Sequence, residues 1–242
     1  MALLLLDLNP QARQRGLYRI GWDYCLKNMF QQAKQATLGA LELLGDAHPL
    51  LEQLGSAEGL VTLDGAAESL RVQRVDSVPT LRAFLRDYHV KVLRPVELPV
   101  IQRAFFHASR GELRELIELD HELSREPVLK SFAGASRRVG RAQLQRLRPL
   151  RDQRLVQRYL AAVDEGRAHG WHTLVFGVTL AVYSLPLRQG LFGYAQQTTG
   201  GFIRSAAGSF KFSEKTSSEL FQEMCGSLPA AIEPLLSSGL AA

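Results

Sequence analysis

From Ser77 onward, apolar residues recur every three or four positions, the spacing of helices that each turn one face to a core. Leu81, Phe84, Leu85, Tyr88 and Val92 form the first such stripe, with Ser77 and Pro79 ahead of it as a good helix start. Leu98, Ile101, Phe105 and Ala108 form a second, stopped near Gly111, and Leu113, Leu116, Ile117 and Leu123 a third. Pro127 opens a helix with Leu129, Phe132, Ala133, Ser136, Val139 and Leu144 on one face, and Pro149 separates it from Arg151–Arg167. Thr216 to Glu219 fits a capping box, a hydroxyl acceptor with a glutamate three residues on. The helix it would start carries Leu220, Phe221, Met224 and Leu228, and Pro229 opens a short last one.

The N-terminal part is less regular. Apolar positions from Leu17 to Leu44 suggest one long helix or a broken pair, ended at Gly45–Pro49. Gly55–Glu68 shows little periodicity, and only Gly59–Leu63 and Leu70–Val75 alternate in a way that predicts a weak hairpin. The period near 3.6 elsewhere, with short Pro/Gly punctuation, predicts an all-α fold: a single orthogonal multi-helix domain over residues 1–242.

Gly170 to Phe212 differs from the rest. It reads as two helices joined at Leu185-Pro186-Leu187, apolar or small around nearly the whole circumference and therefore buried on most sides. Each helical glycine costs about 1 kcal/mol against alanine. Retaining Gly177, Gly190, Gly193, Gly200, Gly201 and Gly208 implies that something must come close. Gly193 and Gly200 lie two turns apart on one face, and Ala207 and Gly208 roughly continue the line. That line predicts tight packing, either in the core or across a homodimer interface.

Composition adds bounds. The chain has 242 residues, enough for a helical core without staples. Cys25 and Cys225 belong to no paired spacing, which points to reduced thiols in the cytoplasm. The apolar run at Met1–Leu6 is too short for a signal peptide and Asp7 interrupts it, and no stretch reaches the length of a membrane span. A net charge of +5 permits an anionic partner without demanding one.

Candidate chemistry is sparse. His169 and His172 are three apart, with Gly170 between them and no neighbouring ligand, and read as surface or capping residues. Glu115, Glu118, Asp120, His121 and Glu122 crowd one helix and read as a solvated acidic face. A carboxylate-bridged metal bundle needs two Glu-x-x-His motifs, and only one occurs here. There is no nucleophile elbow, and Gly200–Ser205 lacks the lysine of a phosphate loop. No catalytic residue, metal ligand or cofactor is expected. Arginines are dense from Arg137 to Arg158, with Asp152 the single acid between them. Arg137/Arg141 and Arg154/Arg158 are i,i+4 pairs, and Arg138 adjoins the first. This is a solvated face, a site for an acidic protein partner, or a nucleic-acid surface poor in stacking aromatics.

The segment HTLVFGVTLAVYSLPL and the later IRSAAGSF resemble the C-terminal half of the UreF family of urease accessory proteins. SVPTLRAFLRDY, ELPVIQRAFFHASRGELRELIELDHEL and SFAGASRRVGRAQLQ also resemble UreF, in the family's order. The resemblance covers about Ser77 to Leu236, leaving residues 1–76 divergent. It implies an all-helical, cytoplasmic, usually dimeric adaptor with no chemistry of its own. Such an adaptor joins UreD (also called UreH) and the GTPase UreG on apo-urease for GTP-dependent nickel incorporation. Two segments depart from the family pattern. Gly55–Glu68 keeps little of a proline-glycine-aromatic loop, and in Ser213–Glu219 only Thr216 carries over. In the family both regions face partners. The residues expected at an interface are therefore Arg137, Arg138, Arg141, Arg154, Arg158, Gly193, Gly200 and Thr216. The rival reading is a helical nucleic-acid-binding regulator that uses the Arg137–Arg158 face.

Overall fold

The computed structural model describes residues 65–238 except Ser69 and Ser131. The chain divides into two units, Met1–Leu43 and Leu44–Ala242, and all the described residues lie in the second. The Leu17–Leu44 seam, the Gly59–Leu63 strand candidate and Cys25 lie outside the described residues.

Of the described residues 79% are helical, and none is in a strand. The alternation at Leu70–Val75 does not form a strand. Instead it caps a helical turn at 65–68: Leu70 N–H donates to Ala66 O, and Val72 N–H to Ala67 O. Arg71 takes the left-handed φ of 56° that this cap requires.

Helix α1, Val78–Tyr88, starts where Ser77 predicts, with Ser77 N–H donating to the Thr80 hydroxyl at 3.0 Å. It runs into a π-helical segment, His89–Glu97, and then into α2, Leu98–Arg110, which ends at Gly111 with φ 72°. Pro95 lies inside the π segment. Proline has no N–H and its ring crowds the carbonyl four residues back, so widening the helix accommodates it without breaking the rod. Next come α3, Leu113–Arg125, a 3-10 turn at Pro127–Leu129, and α4, Ala133–Arg146. The helix predicted to begin at Pro127 thus starts a turn and a half later. Then follow α5, Arg154–Asp164; α6, His172–Val182; α7, Leu187–Phe210; α8, Glu214–Cys225; and α9, Leu228–Ser238. The N-cap of α8 is Ser213, whose hydroxyl accepts from Thr216 N–H at 3.1 Å. The capping box predicted at Thr216–Glu219 therefore sits one turn too late.

Helix α6 is the centre. Residues 172–180 are all buried, and it packs chiefly on α2 and α4. Glycines permit both contacts. A Cβ on Gly177 would lie 2.5 Å from Ile101 O and 2.8 Å from the Ala104 Cβ. On Gly140 of α4 it would lie 2.2 Å from Gly170 O and 2.6 Å from His172 N. Gly190 of α7 meets the Leu180 side chain, and Gly200 meets Phe221 of α8 at 3.3 Å. The small-residue line on α7 divides in the fold. Gly200 is packed within the chain, but a Cβ on Gly193 or Gly208 would meet no described atom within 4 Å.

Gly177→Ala is accordingly expected to destabilise the protein by about 1–3 kcal/mol, because the new methyl meets backbone that cannot yield. Gly193→Ala is expected to stabilise it by about 0.5–1 kcal/mol through helix propensity alone. Urea midpoints of the two variants, at unchanged slope, check the order. A Gly193→Ala variant that unfolds before Gly177→Ala would contradict this packing.

Candidate partner interface

The arginine run divides into two groups. Arg137 and Arg141 of α4 hold residues 165–171, the loop that delivers α6. The Arg137 guanidinium lies 4.8 Å from the Trp171 ring centroid and donates to Ser124 Oγ at 3.2 Å. Arg141 Nε donates to His169 O at 3.1 Å. Arg148 donates to the Asp164 carboxylate at 3.0 Å. Arg138 of α4 is exposed, as are Arg154 and Arg158 of α5. Among the described residues no carboxylate pairs with Arg154 or Arg158. Arg158 also lines an open groove of about 560 Å³ with Glu115 and Glu118 of α3, so the face there is mixed in sign. Thr216 serves the α8 cap, its hydroxyl 2.8 Å from Ser213 Oγ.

The same loop is anchored from below by Asp120, which is not part of a solvated face. It is completely buried and accepts from Tyr159 OH at 2.7 Å, His169 N–H at 2.8 Å and Gly170 N–H at 2.9 Å. Gly170 has φ 71°, a conformation open to glycine, and that turn aims both amides at one carboxylate. Trp171 Nε1 donates to Ser124 Oγ at 2.9 Å, and His172 N–H donates to Ser136 Oγ at 3.2 Å. The sequence marks Asp120: it stands four residues after Leu116 and three before Leu123, on the apolar face of α3.

A second buried polar cluster centres on Glu97, at the end of the π segment. Tyr88 OH donates to its carboxylate, and Tyr194 of α7 also bonds to it. Burial raises the Glu97 carboxyl to about 7, against the lowering effect of the two phenols. Burial, then the charge of Glu97, keeps both phenols well above their ordinary range, so they remain donors. Leu93, Glu97 and Ile101 are spaced by four, so here too the carboxylate falls in an apolar register.

The histidines also differ from expectation. His172 is neither a surface nor a capping residue. It is buried against Phe176 and Tyr194, neither ring nitrogen has a partner among the described residues, and burial lowers its pKa to about 4. His169 packs edge-on against His121 at 5.6 Å, and its pKa is lowered by burial and then by Arg137. Cys225 is buried in α8. Among the described residues, no three His, Cys, Asp or Glu side chains are grouped to hold a metal ion, and no helix is long and apolar enough to cross a membrane.

Removing the Asp120 carboxylate strands its buried donors. Asp120→Ala is therefore expected to cost about 3–5 kcal/mol and to speed amide hydrogen exchange at His169 and Gly170. Unchanged exchange there would show that the loop is held by its other contacts. Glu97 predicts a pH effect. Its folded pKa of about 7 exceeds the ordinary 4.5, so the folded chain holds a proton that the unfolded chain releases. The penalty is absent below pH 4.5, grows as pH rises, and is complete above pH 7. Glu97→Gln should be more stable than wild type by about 3 kcal/mol at pH 8, and the difference should vanish near pH 4.5. His89 and His172, lowered to about 4, give the opposite slope: their contribution is lost as pH falls below 6.5. Both proteins share that slope, so it cancels in the difference. Paired denaturation curves at the two pH values measure it.

The UreF family profile matches residues 75–207, more than half of the chain, while no curated protein matches. The matched span runs from the start of α1 through most of α7. It contains the α6 core, the Asp120 anchor and the Glu97 cluster, so the match covers the scaffold as a whole, and the chain belongs to the UreF family.

Proposed function

We propose that this protein is an adaptor in urease maturation. In this reading it joins UreD and UreG on apo-urease and supports GTP-dependent nickel incorporation without catalysing a step itself. Family membership is the observation that carries it, and it supports a urease accessory role. Buried polar groups with complete intramolecular duties, such as Asp120, fit a rigid scaffold better than an active site. Nickel in this scheme is cargo. The protein acts in the cytoplasm and as a homodimer, with Gly193 on an open stretch of α7 available to a second copy.

The exposed arginines Arg138, Arg154 and Arg158 supply a face for an acidic protein partner. Nucleic acid is the weaker alternative, because Arg137 and Arg141 are engaged within the chain and Tyr159 is buried.

Co-purification of the full chain with UreD, UreG and apo-urease subunits tests the reading. Wild type is expected to recover all three and to raise urease activation. Arg154→Glu with Arg158→Glu should weaken recovery about tenfold, mainly at low salt, with an unchanged circular-dichroism spectrum. Failure of wild type to recover any of them would overturn the accessory reading. Equal recovery by the double variant would leave the arginines as solvated surface. Tight duplex-DNA binding with a steep salt slope would favour the alternative.

A further inference from the structure

A second surface, away from the arginine run, has more of the character of a binding site. Arg86, Val90 and Arg94 follow one another at intervals of four along α1 and the π segment. Together with Glu223 and Met224 of α8 and Ser227 just beyond it, they line a pocket of about 200 Å³. Val90 at its edge is 63% exposed, the most exposed large apolar side chain among the described residues.

The charges in this pocket are unequal in availability. Glu223 accepts from Arg82 at 2.9 Å and from Arg86 at 2.7 Å, so Arg86 shares one carboxylate with Arg82 and its guanidinium is already engaged. Arg94 has no carboxylate among the described residues. Its Nη2 donates to the neutral hydroxyl of Ser227 at 2.6 Å, and its buried Nε has no acceptor among the described residues. His89, which also lines the pocket, adds no charge. Thr199 donates its own proton to Ala195 O at 2.7 Å, so His89 Nε2 is the donor in their 2.8 Å bond, and burial, then the Arg94 charge, lowers the ring's pKa to about 4, which keeps it neutral near pH 7. The pocket thus offers one guanidinium that touches no carboxylate among the described residues, one hydroxyl and a flanking apolar patch.

We infer that this pocket receives the carboxylate of a single acidic side chain, carried with an apolar neighbour on a protein partner, with Arg94 as its counter-ion and Val90 as the apolar contact. A planar monoanion matches one guanidinium fork. A dianionic phosphate would find only one guanidinium that no carboxylate already engages and would lie beside the Glu223 carboxylate, which also lines the pocket. That the partner belongs to urease maturation rests on the function proposed above; the pocket chemistry does not.

The test uses the full-length, isotope-labelled chain and three probes: acetyl-Leu-Glu-Leu-amide, the same peptide with glutamine, and inorganic phosphate. The glutamate peptide is expected to shift the amide resonances of Val90, Arg94 and Ser227, and to bind about tenfold more tightly than the glutamine peptide. Arg94→Ala and, independently, Val90→Glu should abolish the difference while leaving the rest of the spectrum unchanged. Equal binding of the two peptides, no binding of either, or tighter binding of phosphate overturns the proposal. Capture of UreD, UreG and apo-urease is measured in parallel. If wild type captures none of them while the glutamate peptide still binds at Arg94, the accessory reading fails and the pocket stands. If wild type captures them and Arg94→Ala captures them equally well, the pocket is not where these partners dock.

Discussion

The carboxylate of Asp120 governs where the central helix enters the core. A bare carboxylate shielded from water carries a large desolvation penalty, and here two backbone amides and a phenol offset it together. The amides belong to His169 and Gly170, which immediately precede α6. Asp120 therefore sets the starting point of a helix that has no polar face with which to orient itself. A helix that is apolar all round can rotate or slide with little change in burial, so its register has to be imposed from its end. Gly140 completes the imposition, because the loop backbone passes so close to α4 that any side chain there would collide with it.

With α6 positioned in this way, the second polar cluster follows. Tyr194 of α7 packs against His172 and Phe176 of α6 and reaches Glu97 on the opposite side. The π-helical widening around Pro95 has consequences on both faces of the rod. Inward it holds Glu97 between two phenols, and outward it presents Val90 and Arg94 side by side. A buried carboxyl with a pKa near neutrality and a guanidinium whose buried Nε has no acceptor among the described residues are both costly to keep, and they lie on one short irregular segment. Irregular helical turns of this kind are over-represented at functional sites.

The arginine-rich stretch shows how charge density along a sequence misleads. Arg137 and Arg154 look equivalent in composition and in i,i+4 pairing. In the fold, Arg137 lies over Trp171 and bonds to Ser124, whereas Arg154 stands in solvent. The difference lies in what each helix packs against. Residues of α4 border the loop that carries α6, whereas the exposed side of α5 borders only an open groove against α3. The binding character that the stretch suggests is thereby divided, and a smaller pocket lies on the π segment and α8, where the sequence shows only scattered charges.

The sequence by itself determined most of the described helices and the family, though not the strand expected at Leu70–Val75 or the start of α4. Stripes at helical spacing, Ser77 with Pro79, the Gly111 stop and the Leu185-Pro186 break all express local backbone preferences, and each appears in the structure. The all-apolar α6 was legible as buried for the same reason, since no face of it tolerates water. What remained for the tertiary structure was the fate of each polar residue in an apolar register. Asp120, Glu97 and His172 each occupy a core position, yet the first is fully paired, the second is held between phenols, and the third has no partner among the described residues. The glycines divided in the same manner: Gly140 and Gly177 make the close contacts, and Gly193 meets no described neighbour. A residue's spacing says which face of its helix it occupies. Only the neighbour packed against that face decides whether it meets a donor, a backbone or open solvent, and that neighbour comes from a distant part of the chain.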